Sequence, residues 1–142
     1  MKVLKFFAFV GIFAMMFASC KKEDEFTIVG KWNVDKVTTT VFINGNQFGD
    51  PDIDTNDGWI QFNSDKTGVT DDGETFTWSL SGDNLTITWN DPDEDQIPSL
   101  LLVLKTKEAK RVVAEGEFTM EDDWEGQTII LTVKMVIELS KI

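Results

Sequence analysis

Apolar and polar positions alternate with a period of two along most of the chain after Phe26. In TFTWSLSG, 75–82, Phe76, Trp78 and Leu80 fall on one face and Thr75, Thr77 and Ser79 on the other. NLTITWN, 84–90, repeats the pattern with Leu85, Ile87 and Trp89. This is the signature of half-buried β-strands, and the SGDN between them has the composition of a hairpin turn. The same alternation predicts eight strands, at about 31–43, 58–63, 67–71, 75–80, 84–90, 98–106, 111–120 and 127–140. The connections are short and polar, so consecutive strands pair antiparallel. An eight-stranded up-and-down meander buries one face and, by closing, removes its exposed edges, which predicts an all-β barrel.

The N-terminus breaks this pattern. Residues 1–19, MKVLKFFAFVGIFAMMFAS, place Lys2 and Lys5 before an apolar run that ends in small residues, the layout of a cleaved secretory signal. The run is too short to span a bilayer comfortably. Ala18 and Ser19 directly before Cys20, the only cysteine, resemble the lipobox of bacterial lipoproteins, although Phe17 stands where Leu or Val is usual. That resemblance implies lipid on the Cys20 sulfur, and hence attachment to a membrane. Lys22, Glu23 and Asp24 resemble the surface-export signal of some Gram-negative lipoproteins. It implies display on the outer face of the outer membrane, with the periplasmic leaflet as the alternative. The expected organisation is a signal peptide over 1–19, a lipidated tether over 20–27 and one barrel domain over 28–142.

Charge changes the picture of the barrel. The 142 residues hold 25 acidic and 13 basic side chains, and removing the signal with Lys2 and Lys5 leaves 11 basic ones. Such a balance repels phosphate, and nucleic acid is excluded as a partner. In an up-and-down barrel successive turns alternate between the ends. The first, third, fifth and seventh then hold fifteen of the 25 acids and neither Lys nor Arg. The other end receives both termini and most of the basic residues, next to the lipid.

A family resemblance lies in VGKWNVDKV, with Gly30 and Trp32, which resembles the Gly-x-Trp opening of lipocalins. WIQFNSDKTG, with Phe62, Asp65, Thr67 and Gly68, and ETFTWSLSGDNLTITW are similar to the lipocalin-like domain of small Gram-negative lipoproteins. The resemblance covers about 28–142 and implies a small ligand-binding barrel without catalytic residues. One departure is that the only arginine is Arg111, so the arginine that typically packs on the lipocalin tryptophan is missing and Lys141 is the available substitute.

The chain has no histidine, no tyrosine and no second cysteine. The usual general bases, thiol nucleophile and imidazole metal ligands are thereby absent, which argues against an enzyme and implies no cofactor. The acidic run 50–58 suggests a calcium loop through Asp50, Asp52, Asp54, Asn56 and Asp57. It is not an EF-hand: Asp57 stands where glycine is required and Asn63 where the bidentate Glu belongs. A solvated acidic loop without metal is the expectation.

Trp59, Trp89 and Trp124, with Phe48 nearby, are expected to ring the acidic end, where aromatic faces beside carboxylates suit sugars or cations. The inward positions carry large side chains, which predicts a filled core, with an apolar cavity open at the acidic end as the alternative. LLLVL, 100–104, is apolar on both faces and offers Leu101 and Val103 as an outer docking patch. The functional expectation is a binding module that takes a small apolar or sugar-like ligand at its acidic end. The alternative is an accessory lipoprotein with a filled barrel that docks a protein partner.

Overall fold

A computed structural model describes residues 25–93 and 97–142. The signal segment, Cys20 with its following charges, and Glu94 and Asp95 lie outside the described residues. The chain forms β1 (Gly30–Ile43), β2 (Asn46–Gln47), β3 (Asp52–Thr55), β4 (Trp59–Phe62), β5 (Thr67–Thr70), β6 (Thr75–Ser81), β7 (Asn84–Trp89), β8 (Ser99–Glu108), β9 (Arg111–Trp124) and β10 (Gln127–Lys141). Each strand from β4 to β10 pairs antiparallel with the next, and β10 closes on β1 from Trp32↔Lys141 to Ile43↔Leu131. Strands β2, β3 and β4 share a single stave along β1, pairing its upper, middle and lower parts in turn. The result is the expected closed, eight-stranded antiparallel barrel.

Two connections differ from the sequence reading. The first is not an open acidic loop, because β3 holds it against β1 with Asp52 opposite Thr39 and Asp54 opposite Val37. The last is only Glu125 and Gly126, both at positive φ, since β9 runs on through the acids to Trp124. Strand β1 carries a bulge between Val34 and Lys36. The extra residue, Asp35, accepts hydrogen bonds from Ser140 Oγ at 2.8 Å and, through its carbonyl, from Asn56 N at 3.0 Å. The bulge keeps both Val34 and Val37 on the inner face.

The pairing of β8 with β9 ends at Leu102↔Gly116, whereas β9 continues with β10 to the hairpin and β1 follows them to Ile43. One side of the barrel therefore rises above the rim of the other. This is the end that bears the acidic turns; the start of β1, the end of β10 and most of the described basic residues lie at the opposite end, as the strand order requires.

The lower end is closely packed. Trp32, Phe62, Phe76, Leu85 and Val112 are fully buried. Phe62 meets Phe76 edge-on at 5.5 Å and Trp78 at 5.7 Å. Residues ahead of β1 form the floor: Ile28 is 2 % exposed and its carbonyl accepts from Trp32 Nε1 at 2.7 Å. The turn into β5 is fixed by Asp65, which accepts from Thr67 Oγ1 at 2.6 Å and Thr67 N at 3.1 Å. Those two bonds, the hydroxyl's first, hold the Asp65 carboxyl below its ordinary pKa. Lys66, at φ 70°, then lays its ammonium 4.0 Å over the Trp78 ring, and Trp78 Nε1 donates to Thr67 O at 3.0 Å.

The upper half corrects the expectation of a filled core. Its inward positions on β1 and β9 carry the small side chains Val34, Val37 and Ala114, and these leave a void between the walls.

Candidate functional site: an apolar cavity under an acidic rim

The void is a cavity of about 440 Å³. It is lined by Ile60 and Phe62 from β4, Leu85, Ile87 and Trp89 from β7, and Leu100 and Leu102 from β8. The tall side contributes Val112 and Ala114 from β9 and Met135, Ile137 and Leu139 from β10. Asp57, in the bend between β3 and β4, is the one charged residue of the lining. Its backbone N–H donates to Val34 O at 2.9 Å, which pins the bend to the bulged part of β1. A cavity of this size with an apolar wall excludes tightly held water and favours an apolar occupant.

The four aromatic residues expected at the rim are not gathered there. Trp89 alone lines the cavity, its ring edge-on to Phe76 at 5.2 Å. Trp59 pairs with Asn33, one position out of step with the inward Trp32 and Ile60, and so faces outward. The Lys31 ammonium covers it at 3.7 Å from the ring centroid. Trp124 is 64 % exposed at the β9–β10 tip and Phe48 is 66 % exposed after β2. The calcium candidates are likewise spread out: Asp52 and Asp54 are held in an extended strand, Asn56 turns at φ 55°, and Asp57 belongs to the cavity. Among the described residues no three acidic side chains converge on a cation position.

Trp89 also borders a second hollow, of about 380 Å³, lined besides by Asp72, Gly73, Glu74, Thr75, Asp91 and Asp93. Among the described residues of its lining, every charged side chain is acidic. The cross-strand ion pairs, Lys36–Glu138 at 3.5 Å, Arg111–Glu138 at 3.6 Å, Lys105–Glu115 at 3.6 Å and Lys134–Glu117 at 3.3 Å, sit on the outer wall. Being exposed, each is worth little to stability.

Sequence reasoning missed Ala114 and Ile97 as features of the site. A signal was present for the first, since Ala114 is a small residue at an inward position of a strand, flanked two residues before by Val112.

The model of a lipocalin-like domain matches residues 28–102, more than half of the chain. The chain belongs to the lipocalin-like domain family. No curated protein and no solved structure matches it. In this lipocalin-like barrel the place of the missing arginine is taken by Lys141, whose ammonium lies 5.0 Å from the centre of the Trp32 ring and donates to Val29 O at 3.1 Å. The fold is one that in general binds ligands rather than catalyses, in keeping with an apolar cavity and a chain without histidine.

Proposed function

We propose that the protein is a lipid-anchored outer-membrane binding module that takes a small apolar ligand into the barrel. The cavity carries this reading: about 440 Å³ of apolar-walled space whose lining reaches Asp57 and Trp89 toward the acidic end, in a family whose barrels in general bind ligands. The lining lacks the convergent hydrogen-bonding groups a sugar needs, so the apolar half of the expectation is favoured over the carbohydrate half. The test is titration with a neutral solvatochromic dye. Saturable binding is expected, and Ala114→Phe, which fills the cavity from β9, is expected to weaken it at least about tenfold while the chain stays folded by circular dichroism. Dye binding undiminished in the folded variant, or a glycan that binds better than the dye, overturns the reading.

Anchoring is supported by the lipobox-like residues before Cys20 and by the polarity of the barrel. The chain enters at Ile28, at the end where Lys66, Lys107, Lys110, Arg111 and Lys141 cluster. Basic residues close to an anionic leaflet contribute about 1 kcal/mol each, so this end faces the headgroups and the cavity mouth faces away. Cys20→Ala is expected to move the protein from the membrane to the soluble fraction, and protease shaving of intact cells to degrade the unaltered protein. Retention of the variant on membranes, or resistance to shaving, removes the anchor or the surface display respectively. The docking alternative keeps one observation in its favour: Leu101 is 55 % exposed on the outer face of β8, beside Val103.

A further inference from the structure

The Trp89 indole is a wall shared by two hollows of opposite character: the apolar cavity inside the barrel, and the depression between the β5–β6 and β7–β8 turns lined by Asp72, Glu74, Asp91 and Asp93. Trp89 thus joins the apolar cavity to a hollow whose described lining carries carboxylates, Asp72 and Asp91 among them, and no basic side chain. Asp57 adds a further negative charge at the cavity itself. The four connections at this end contain no Lys or Arg. We propose that the ligand is an amphiphile with a cationic head, its apolar body in the barrel and its ammonium group against Trp89 among Asp72, Glu74, Asp91 and Asp93. The inference rests on the ligand-capture reading above and adds the chemical class.

Three physical arguments converge on that class. An aromatic face attracts a cation, most strongly where water is partly excluded. Carboxylates grouped in a depression with a low-dielectric wall focus their field at its mouth, raising the local concentration of cations and lowering that of anions. A carboxylate-headed amphiphile entering the same mouth would lose hydration beside like charges, with no positive group to compensate. The apolar body alone would be accepted equally for any head, so the head decides selectivity.

Competition against the neutral dye tests this with dodecylamine, dodecanol and dodecanoate, which share a chain and differ in head charge. In low salt dodecylamine is expected to displace the dye at about tenfold lower concentration than dodecanol, and dodecanoate to be the weakest of the three. The amine's advantage should shrink at high salt. The double variant Asp72→Asn with Asp91→Asn is expected to bring dodecylamine to within about twofold of dodecanol. A control with the same change of net charge, Glu121→Gln with Glu125→Gln on the distant hairpin, is expected to leave the preference in place. Trp89→Leu keeps the lining apolar and should reduce binding of the amine more than that of the alcohol.

Equal displacement by all three probes leaves ligand capture standing and overturns the cationic class. Equal loss of preference in both charge variants overturns it too, because the field of the whole molecule then suffices. Absence of dye binding in the unaltered protein removes the capture reading and this one together.

Discussion

Replacing Trp32 with Ala is expected to destabilise the barrel by about 3 to 5 kcal/mol, read from the shift of the urea midpoint. Trp32 has no solvent exposure and stands at the centre of the lower core. Three losses coincide when it is truncated. A large buried ring leaves a cavity that the surrounding strands cannot close, because β1 is paired on both sides at this level, to Lys141 and to Ile60. Ile28 O loses the indole N–H that donates at 2.7 Å, and with it the bond that folds the entering chain across the barrel floor. The Lys141 ammonium loses its ring, keeping only its bonds to the Val29 and Thr27 carbonyls. Trp32→Phe separates the terms: it preserves most of the packing and leaves Ile28 O unpaired, for an expected cost of about 1 to 2 kcal/mol. A cost below about 1 kcal/mol for Trp32→Ala would show that the floor does not depend on this ring.

The parts of the fold that sequence alone reveals are those where alternation is complete. Strands β6 and β7 follow from TFTWSLS and NLTITW, whose inward residues are large and whose outward residues are polar. β3 is hidden because DIDT offers a single apolar residue and its two acids are poor strand formers in isolation. It becomes a strand because β1, at fourteen residues, is far longer than β4 and leaves backbone groups that the returning chain pairs with. The upper part of β9 is hidden for a similar reason: EDDW reads as a turn, yet its partner in β10 extends it.

The site was legible only in its polarity. That the odd-numbered connections would share one acidic end follows from strand order and sequence together. Which aromatic residue reaches the cavity does not, because Trp59 and Ile60 differ by one position and the register decides which points inward. In the sequence the cavity stands only as the alternative to a filled barrel, because the summed size of inward residues suggests a full one, whereas their distribution leaves a void. Aromatics gather in the lower layers through Trp32, Phe62, Phe76 and Trp78, and the cavity wall above holds Ala114, Val34 and Val37. Trp32 and Phe76, which do not line the cavity, should change mainly the urea midpoint when substituted, and Ala114 should change binding first, whereas Phe62, Leu85 and Val112 belong to both the core and the cavity wall.

Gly68→Ala is the second large expected effect, at about 2 to 3 kcal/mol, and it shows how tightly the lower layers are fitted. Gly68 is buried in β5 opposite Phe76 of β6, and its backbone is in an ordinary strand conformation, so the requirement for glycine is one of space. A Cβ there would overlap the edge of the Phe76 ring and would stand 2.7 Å from Gln61 O on the neighbouring strand. The ring cannot step aside, since Phe62 abuts it on one side and Trp89 on the other, and it has no exposure to solvent. The Gln61 carbonyl is held in the pairing of β4 with β5 and cannot yield either. Shortening the ring should therefore relieve part of the overlap. In a double-mutant cycle, Gly68→Ala combined with Phe76→Leu is expected to cost at least about 1 kcal/mol less than the sum of the single substitutions. Strict additivity would mean that the methyl group is accommodated by strand displacement rather than resisted by the ring. In that case Gly68→Ala should also alter dye binding, because Trp89, packed on Phe76, would transmit the shift to the cavity wall.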